Sequence, residues 1–276
     1  MTLQESDKVF TGSIPKLYQE HLVPMIFESY AVDLAQRLAS ALSTKPNAHV
    51  LELAAGTGAV TRHLAALLPP GVSLTATDLN PGMLAIAQQI GTPRPVAWQQ
   101  ADALQLPFAD AAFDAVVCQF GVMFFPDKSK AFSEARRVLK PGGVLLFNVW
   151  DKLDENEFPD TVNKALAALY PDNPSHFMAR APHGYYDLAL IARDLKLAGF
   201  TAPPQFTTRA ARSHAASARV PAVAFCQGTP VRAEIEARDP AGLTQATDTA
   251  EKALVQRFGA GAIDGKIQGF VISVEN

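Results

Sequence analysis

Three carboxylates stand where short apolar runs of this 276-residue chain end. Glu52 opens Glu52-Leu53-Ala54-Ala55-Gly56-Thr57-Gly58, Asp78 closes Thr75-Ala76-Thr77-Asp78, and Asp102 lies in Gln100-Ala101-Asp102-Ala103. Gly56 and Gly58 let the backbone turn sharply and come close to a ligand where a Cβ would clash. A dinucleotide fingerprint needs a third small residue, and Thr61 stands there instead. Glu52 would also repel a pyrophosphate, whereas it can attract an ammonium directly or through water. A carboxylate at Asp78 can accept from two ribose hydroxyls, and one at Asp102 from an exocyclic amine. A helix cap or turn aspartate is the ordinary reading of any one of them. Three at successive strand ends of one sheet point to a nucleoside.

Those positions require a particular framework. Apolar runs at 49–53, 72–77, 95–99, 113–118 and 144–149 alternate with stretches carrying apolar residues at helical spacing. Val60, Leu64, Leu67 and Leu68 form the first such face, and Pro69-Pro70-Gly71 ends it. Asn80 and Pro81 are placed as N-cap and first helical residue of the next, which Gly91 closes; Asp127 caps a third. Lys140-Pro141-Gly142-Gly143 breaks that helix before the fifth strand. Repeated strand–helix–strand units demand right-handed crossovers, hence a doubly wound, mostly parallel α/β sheet. Further strands are expected at 205–209 and 270–274, making seven.

Beyond Trp150 the pattern loosens. The expected organisation is one domain: an N-terminal helical lid region (1–47), a cofactor-binding core (48–150), a cap insertion (151–187), a core helix and strand (188–209), a helical cap insertion (210–266) and a final core strand (267–276). Ligands of open α/β sheets bind outside the carboxyl ends of the strands. Both insertions leave such ends, so both are expected to rise over the ligand crevice.

Composition narrows the function classes. Net charge is −3 and pI about 6.1, against sequence-independent nucleic-acid binding. Arg209, Arg212, His214 and Arg219 are sparse and read as scattered surface charge. Cys118 and Cys226 show neither metal-ligand spacing nor a disulfide framework. No metal is expected. The first ten residues lack a signal-peptide core, and no apolar run approaches the roughly 20 residues that span a bilayer. A soluble, cytoplasmic protein is the expectation.

Leu51-Glu52-Leu53-Ala54-Ala55-Gly56-Thr57-Gly58, then Thr77-Asp78-Leu79, then Ala101-Asp102-Ala103-Leu104-Gln105-Leu106-Pro107-Phe108, resembles the class I S-adenosylmethionine-dependent methyltransferases. Phe113-Asp114-Ala115-Val116-Val117 and Arg137-Val138-Leu139-Lys140-Pro141-Gly142-Gly143 extend the resemblance, which looks nearest to the methyltransferase type 11, ubiquinone/menaquinone-biosynthesis-like branch and covers roughly residues 48–149. It implies S-adenosyl-L-methionine as cofactor and S-adenosyl-L-homocysteine as product. Glu52, Gly56 and Gly58 would frame the methionine end, Asp78 would hold the ribose, and Leu79 and Leu104 would sandwich the adenine. Asp102 would take the adenine amine, with the Ala103 backbone at a ring nitrogen. Gln119 would offer its backbone near the sulfonium, Phe120 would begin the substrate wall, and Tyr18 would close over the methionine. Ala54-Ala55 departs from the family, which often has another glycine there.

Methyl transfer from a sulfonium needs collinear alignment and exclusion of water more than acid–base help. A base is required only where the acceptor must lose a proton. Candidates are His176, His183 and His214, with Tyr185 and Tyr186 as partners, because histidine titrates in the useful range. Packing or surface roles are the ordinary reading of each. Phe120, Met123, Phe124 and Phe125 suggest an apolar pocket, hence a small apolar or aromatic acceptor. A C- or O-methyltransferase is expected. The alternatives are a non-catalytic cofactor-binding regulator, a nucleic-acid methyltransferase and, last, a nicotinamide dehydrogenase. Gln119-Phe120-Gly121-Val122 is not the Asn/Asp-Pro-Pro-aromatic motif of amino-methylating DNA enzymes. The sequence leaves the oligomeric state open.

Overall fold

The computed structural model describes residues 3–276. They group into two compact units. One contains residues 28–149, 186–208 and 270–276; the other contains residues up to 27, 150–185 and 209–269. The sequence reading of one domain with insertions treated 1–47 as one region, whereas the grouping divides it after Phe27.

The strands are β1 (His49–Leu53), β2 (Ser73–Asp78), β3 (Ala97–Gln100), β4 (Phe113–Gln119), β5 (Leu139–Trp150), β6 (Gln205–Ala215) and β7 (Ile263–Glu275). They form a seven-stranded sheet in the order β3-β2-β1-β4-β5-β7-β6. Pairings from β3 through β5 are parallel. At one end of β5, Gly142 and Gly143 bond to Asn276, and at the other Asp151 bonds to Gln268. The paired numbers run in opposite senses, so β7 is antiparallel to β5. The sheet is therefore mostly parallel and doubly wound, as expected. The chain order reverses between β1 and β4, the switch point at which such sheets bind ligands.

Local sequence explains the helices of the sheet unit. Asn80 is the N-cap and Pro81 the first residue of Pro81–Ile90, and Gly91 ends it at φ +81°. Asp127 accepts from the Lys130 N–H at 2.8 Å and caps Lys128–Val138. Leu34, Leu38, Val50, Leu51, Leu64, Val116 and Phe147 are among the fully covered core residues.

Three expectations need correction. Lys140-Pro141-Gly142-Gly143 does not stand outside the fifth strand, because β5 begins at Leu139. Phe113 pairs with Leu139 and Ala115 with Val144, so the intervening residues of β5 bulge out. Gly142 supplies φ +70° for the bulge, and Lys140 Nζ clamps it to Asp114 Oδ2 at 2.7 Å. The third strand lies at Ala97–Gln100, slightly later than expected. The helical insertion at 210–266 begins and ends in strand: its helices are Arg219–Gln227, Val231–Arg238 and Leu243–Phe258. Burial alternates along β7 through Gly265 and Gly269. The period of two is strand-like, but glycines at inward positions disguised it. A Cβ at Gly265 would stand 2.8 Å from the Phe158 ring.

The second unit is mainly helical. Its N-terminal part passes from Ile14–Leu17 into a π-helix, Tyr18–Phe27, with Pro24 inside. Proline has no N–H and crowds the carbonyl four residues back, which the wider turn relieves. Tyr18 and Phe27 stack with centroids 5.0 Å apart. Arg180 Nε and Nη2 donate to Asp7 at 2.9 and 2.6 Å, and Nη2 also to Glu234 at 2.8 Å. Ser175 Oγ donates to the same Glu234. This buried network joins segments far apart in sequence.

Candidate functional site at the carboxyl ends of β1 to β4

The β1 exit turn is built on left-handed residues: Ala54 at φ +50°, Gly56 at +57° and Gly58 at +81°. Ala54, where the resemblance led us to expect glycine, takes the glycine conformation with its methyl in place, at a strain of about 1–3 kcal/mol. A Cβ added to Gly121 would lie 2.4 Å from the Ala54 Cβ, so a glycine after β4 makes room for the alanine after β1. A Cβ at Gly58 would press on Trp98 at 3.1 Å and Ala87 at 3.2 Å. That glycine is thus required for packing the turn.

Asp78 holds the turn from β2. Its Oδ2 accepts the Gly56 N–H at 2.8 Å and its Oδ1 the Asn80 N–H at 2.8 Å. Burial raises its pKa, partly offset by those backbone donors. The Asn80 side chain and the Leu79 N–H also bond to this carboxylate. Glu52 is buried, and its Oε2 accepts from Thr61 Oγ1 at 2.6 Å. The residue that breaks the dinucleotide fingerprint thus fixes the carboxyl group. Burial pushes Glu52 up to about 8, with the Thr61 bond and Arg62 opposing. Arg62 Nη1 braces the turn by donating to the Thr57 carbonyl at 2.7 Å.

Beyond β3, Asp102 is exposed, and its Oδ1 accepts from the Leu104 N–H at 2.9 Å. Ala103 is buried, Leu104 half-buried, and Leu79 is 44% exposed. An apolar side chain left uncovered after β2 suits the face of a planar base. The loop after Asp102 is held from below by Arg137, which donates to the Leu106 and Phe108 carbonyls at 2.9 and 2.7 Å. Glu134 completes the clamp: it accepts from the Leu106 N–H and pairs with Arg137 Nη2 at 2.8 Å. The Arg137 contact holds the Glu134 carboxyl down at about 2. Sequence reading noted the Arg137 motif without giving it a role.

Gln119 ends β4. Phe120 follows at φ +49°, its N–H donating to Asn148 Oδ1 at 2.8 Å and its ring edge-on to Tyr30 at 5.0 Å. Asn148 is fully buried on β5, opposite Gln119 in register. It is a positioning residue that sequence reading missed, since a lone Asn inside an apolar strand carries no local pattern. Met123 is buried, while Phe124 and Phe125 are half-buried.

The carboxyl ends of β1–β4 therefore bring together Glu52, Gly56, Gly58, Asp78, Leu79, Asp102, Ala103, Leu104, Gln119 and Phe120. Tyr18, His176, His183, Tyr185 and His214 belong to the other unit. There, Tyr18 is engaged by Phe27 and edge-on by Phe10. His176 is exposed, and its backbone N–H donates to Glu234. His214 is exposed and pairs with Asp264 at 2.6 Å. His183 and Tyr185 are buried. Burial lowers His183 to about 4, which corrects the expectation that it titrates near neutrality. The basic residues are paired as well: Arg212 with Asp264, and Arg219 with Asp248 and Glu251. Among the described residues no group of three His, Cys, Asp or Glu is placed to hold a metal ion, and no helix is long and apolar enough to cross a membrane. Both cysteines are buried and unbridged.

Residues 51–147 match the family model described as methyltransferase domain. A demethylmenaquinone methyltransferase of Thermus thermophilus is 42% identical over 145 residues, which cover 51% of this chain and 57% of that protein. One from a Mycobacterium species is 33% identical over 179 residues, 59% of this chain and 71% of that protein. Among solved structures, phosphoethanolamine N-methyltransferase 2 of Haemonchus contortus, in complex with S-adenosyl-L-methionine, matches with a TM-score of 0.57 at 17% identity, over 95% of this chain and 56% of that one. That likeness establishes the fold. The chain belongs to the class I S-adenosylmethionine-dependent methyltransferases, in the ubiquinone/menaquinone-biosynthesis branch.

Proposed function

We propose that the chain binds S-adenosyl-L-methionine at the β1–β4 ends and transfers its methyl group to a carbon or oxygen of a small apolar or aromatic molecule, leaving S-adenosyl-L-homocysteine. The carrying observation is Asp78: a buried carboxylate at the switch point, fixed by the Gly56 and Asn80 N–H groups beside the left-handed β1 turn, where an acceptor of ribose hydroxyls is needed. The surrounding residues fit the rest of the cofactor. Glu52 is a buried carboxyl group that a ligand ammonium would ionise. Leu79 and Leu104 offer apolar faces, and Asp102 an exposed acceptor.

The cofactor supplies an activated methyl carbon, so the residues need only place it and keep water out. Asp78 and the turn would set the nucleoside, the Arg137 clamp would hold the loop that meets the base, and Asn148 would fix the Gln119–Phe120 peptide beside the acceptor side. The relatives' names, demethylmenaquinone methyltransferases, support a quinone-type ring as acceptor. The acidic balance and the paired arginines favour a small molecule over nucleic acid. We place this activity in the cytoplasm.

Calorimetry with S-adenosyl-L-methionine tests the site: binding by the native chain and its loss in Asp78→Ala are expected, and equal affinity in the two sinks the assignment. Incubation of cell extract with isotopically labelled cofactor tests turnover. Bound cofactor that never becomes S-adenosyl-L-homocysteine would favour the non-catalytic regulator.

A further inference from the structure

The first stretch of the helical unit changes its means of attachment at one point. From Ile14 onward it is held by apolar burial: Ile14, Leu22, Val23, Met25, Ile26 and Phe27 are all buried. Between residues 3 and 13 the only buried side chain among those described is a charged one, Asp7, at 1% exposure. Val9 is exposed, and Leu3 and Phe10 are half-buried. The Asp7 N–H donates to the Gln4 carbonyl, the Val9 N–H to the Ser6 carbonyl and the Gln4 N–H to Asp7 Oδ2. These bonds shape the stretch without tying it to distant chain.

Asp7 makes the tie. Arg180 grips both of its oxygens, Nε to Oδ2 at 2.9 Å and Nη2 to Oδ1 at 2.6 Å. A two-point contact between charged groups is the strong kind of hydrogen bond. Phe10 adds an edge-on contact with Tyr18, and Ser13 Oγ accepts from Arg232. The receiving side is complete without Asp7. Arg180 Nη2 also donates to Glu234 Oε1 at 2.8 Å, and Glu234 in turn holds Ser175 Oγ and the His176 N–H. Losing Asp7 therefore leaves Arg180 paired, whereas losing Arg180 strands two carboxylates. A hinge stands at the boundary. Thr11, Gly12 and Ser13 are exposed, and Gly12 takes φ +64° with nothing within 4 Å of where a Cβ would be. Glycine serves backbone freedom there, not packing.

We propose that residues 3–13 form a strap, hinged at Gly12 and latched by Asp7 on Arg180, which opens while the rest of the helical unit stays folded. Opening the strap exposes one carboxylate, which water solvates, and little apolar surface. Opening the chain beyond Ile14 exposes a core. The open strap takes Phe10 off the edge of Tyr18 and leaves Arg180 to Glu234. The device needs no cofactor, so it stands apart from the methyltransferase reading.

Amide hydrogen exchange on the full chain tests it. In the native protein the Val9 amide should exchange with almost no dependence on urea up to about 1 M, because opening exposes little surface. Amides of the π-helix Tyr18–Phe27 should speed up with urea. In Asp7→Asn the Val9 amide should exchange about tenfold faster, as expected for loss of a charged hydrogen bond. Amides of Tyr18–Phe27, Phe177–Arg180 and Val231–Arg238 should stay within about twofold of native. Equal urea slopes at Val9 and in the π-helix overturn the proposal. So does an unchanged Val9 amide in Asp7→Asn, or a rise shared by all these regions. The urea comparison uses the native chain and does not depend on the variant folding.

Discussion

In the sheet unit, Asp78 takes its donors from residues 56, 79 and 80, and the loop it faces is set by strand ends and capped turns. In the helical unit, Arg180 reaches Asp7 and Glu234, partners far away in sequence, and His183 depends on Asp151, whose side chain is held by Gln268. One unit fixes its polar groups through local backbone geometry, and the other through side chains that meet only when distant segments have folded. Perturbing the first should show mainly in ligand binding, and perturbing the second mainly in stability.

The largest effect expected is in the helical unit. Arg180→Leu leaves two carboxylates facing a lost cation, which for a buried network costs about 3–5 kcal/mol. Urea unfolding measures it; a loss under 1 kcal/mol would erase the contrast. Next is Asp78→Asn, which keeps shape and removes the charge from the ribose acceptor. Affinity for S-adenosyl-L-methionine should fall about 100-fold by calorimetry, as expected for charged hydrogen bonds. Arg137→Gln frees the Leu106 and Phe108 carbonyls and should weaken the cofactor about tenfold through the loop. Unchanged affinity would show that the clamp serves stability alone.

The smallest effect sharpens the comparison most. Burial lifts Glu52 from its ordinary 4.5 to about 8. Across that interval the folded chain keeps a proton that the unfolded chain has released, so stability falls as pH rises through it. Glu52→Gln should flatten this slope in thermal melts between pH 5 and 8 while weakening the cofactor. His183 has the opposite sign. Its pKa is lowered to about 4, so its contribution is present above about 6.5 and is lost as pH falls toward 4. His183→Gln should remove that acid-side loss and leave the slope due to Glu52.

What the sequence disclosed follows the same division. Asn80, Pro81, Gly91 and Asp127 announced their helix ends because capping acts within a few residues. Glu52, Asp78 and Asp102 announced a nucleoside because a parallel sheet puts its strand ends on one edge. Lys140-Pro141-Gly142-Gly143 misled because breakers end a helix and widen a strand bulge with the same residues. Arg180, Asn148 and His183 were silent for another reason: each has a partner chosen by the tertiary fold. The long β7 was hidden by Gly265 and Gly269 at buried positions, the first of which lets the Phe158 ring approach closely.

Pro24 carries a consequence of its own for the stacked rings of Tyr18 and Phe27. Nine residues separate Tyr18 from Phe27, two and a half turns of an α-helix, which would put the two rings on opposite sides. In the wider π-helix nine residues make close to two turns, and the rings come round to one side. The proline thus sets a phase. Pro24→Ala restores an N–H and permits the narrower pitch, and the Tyr18–Phe27 stack would be lost with no aromatic residue changed.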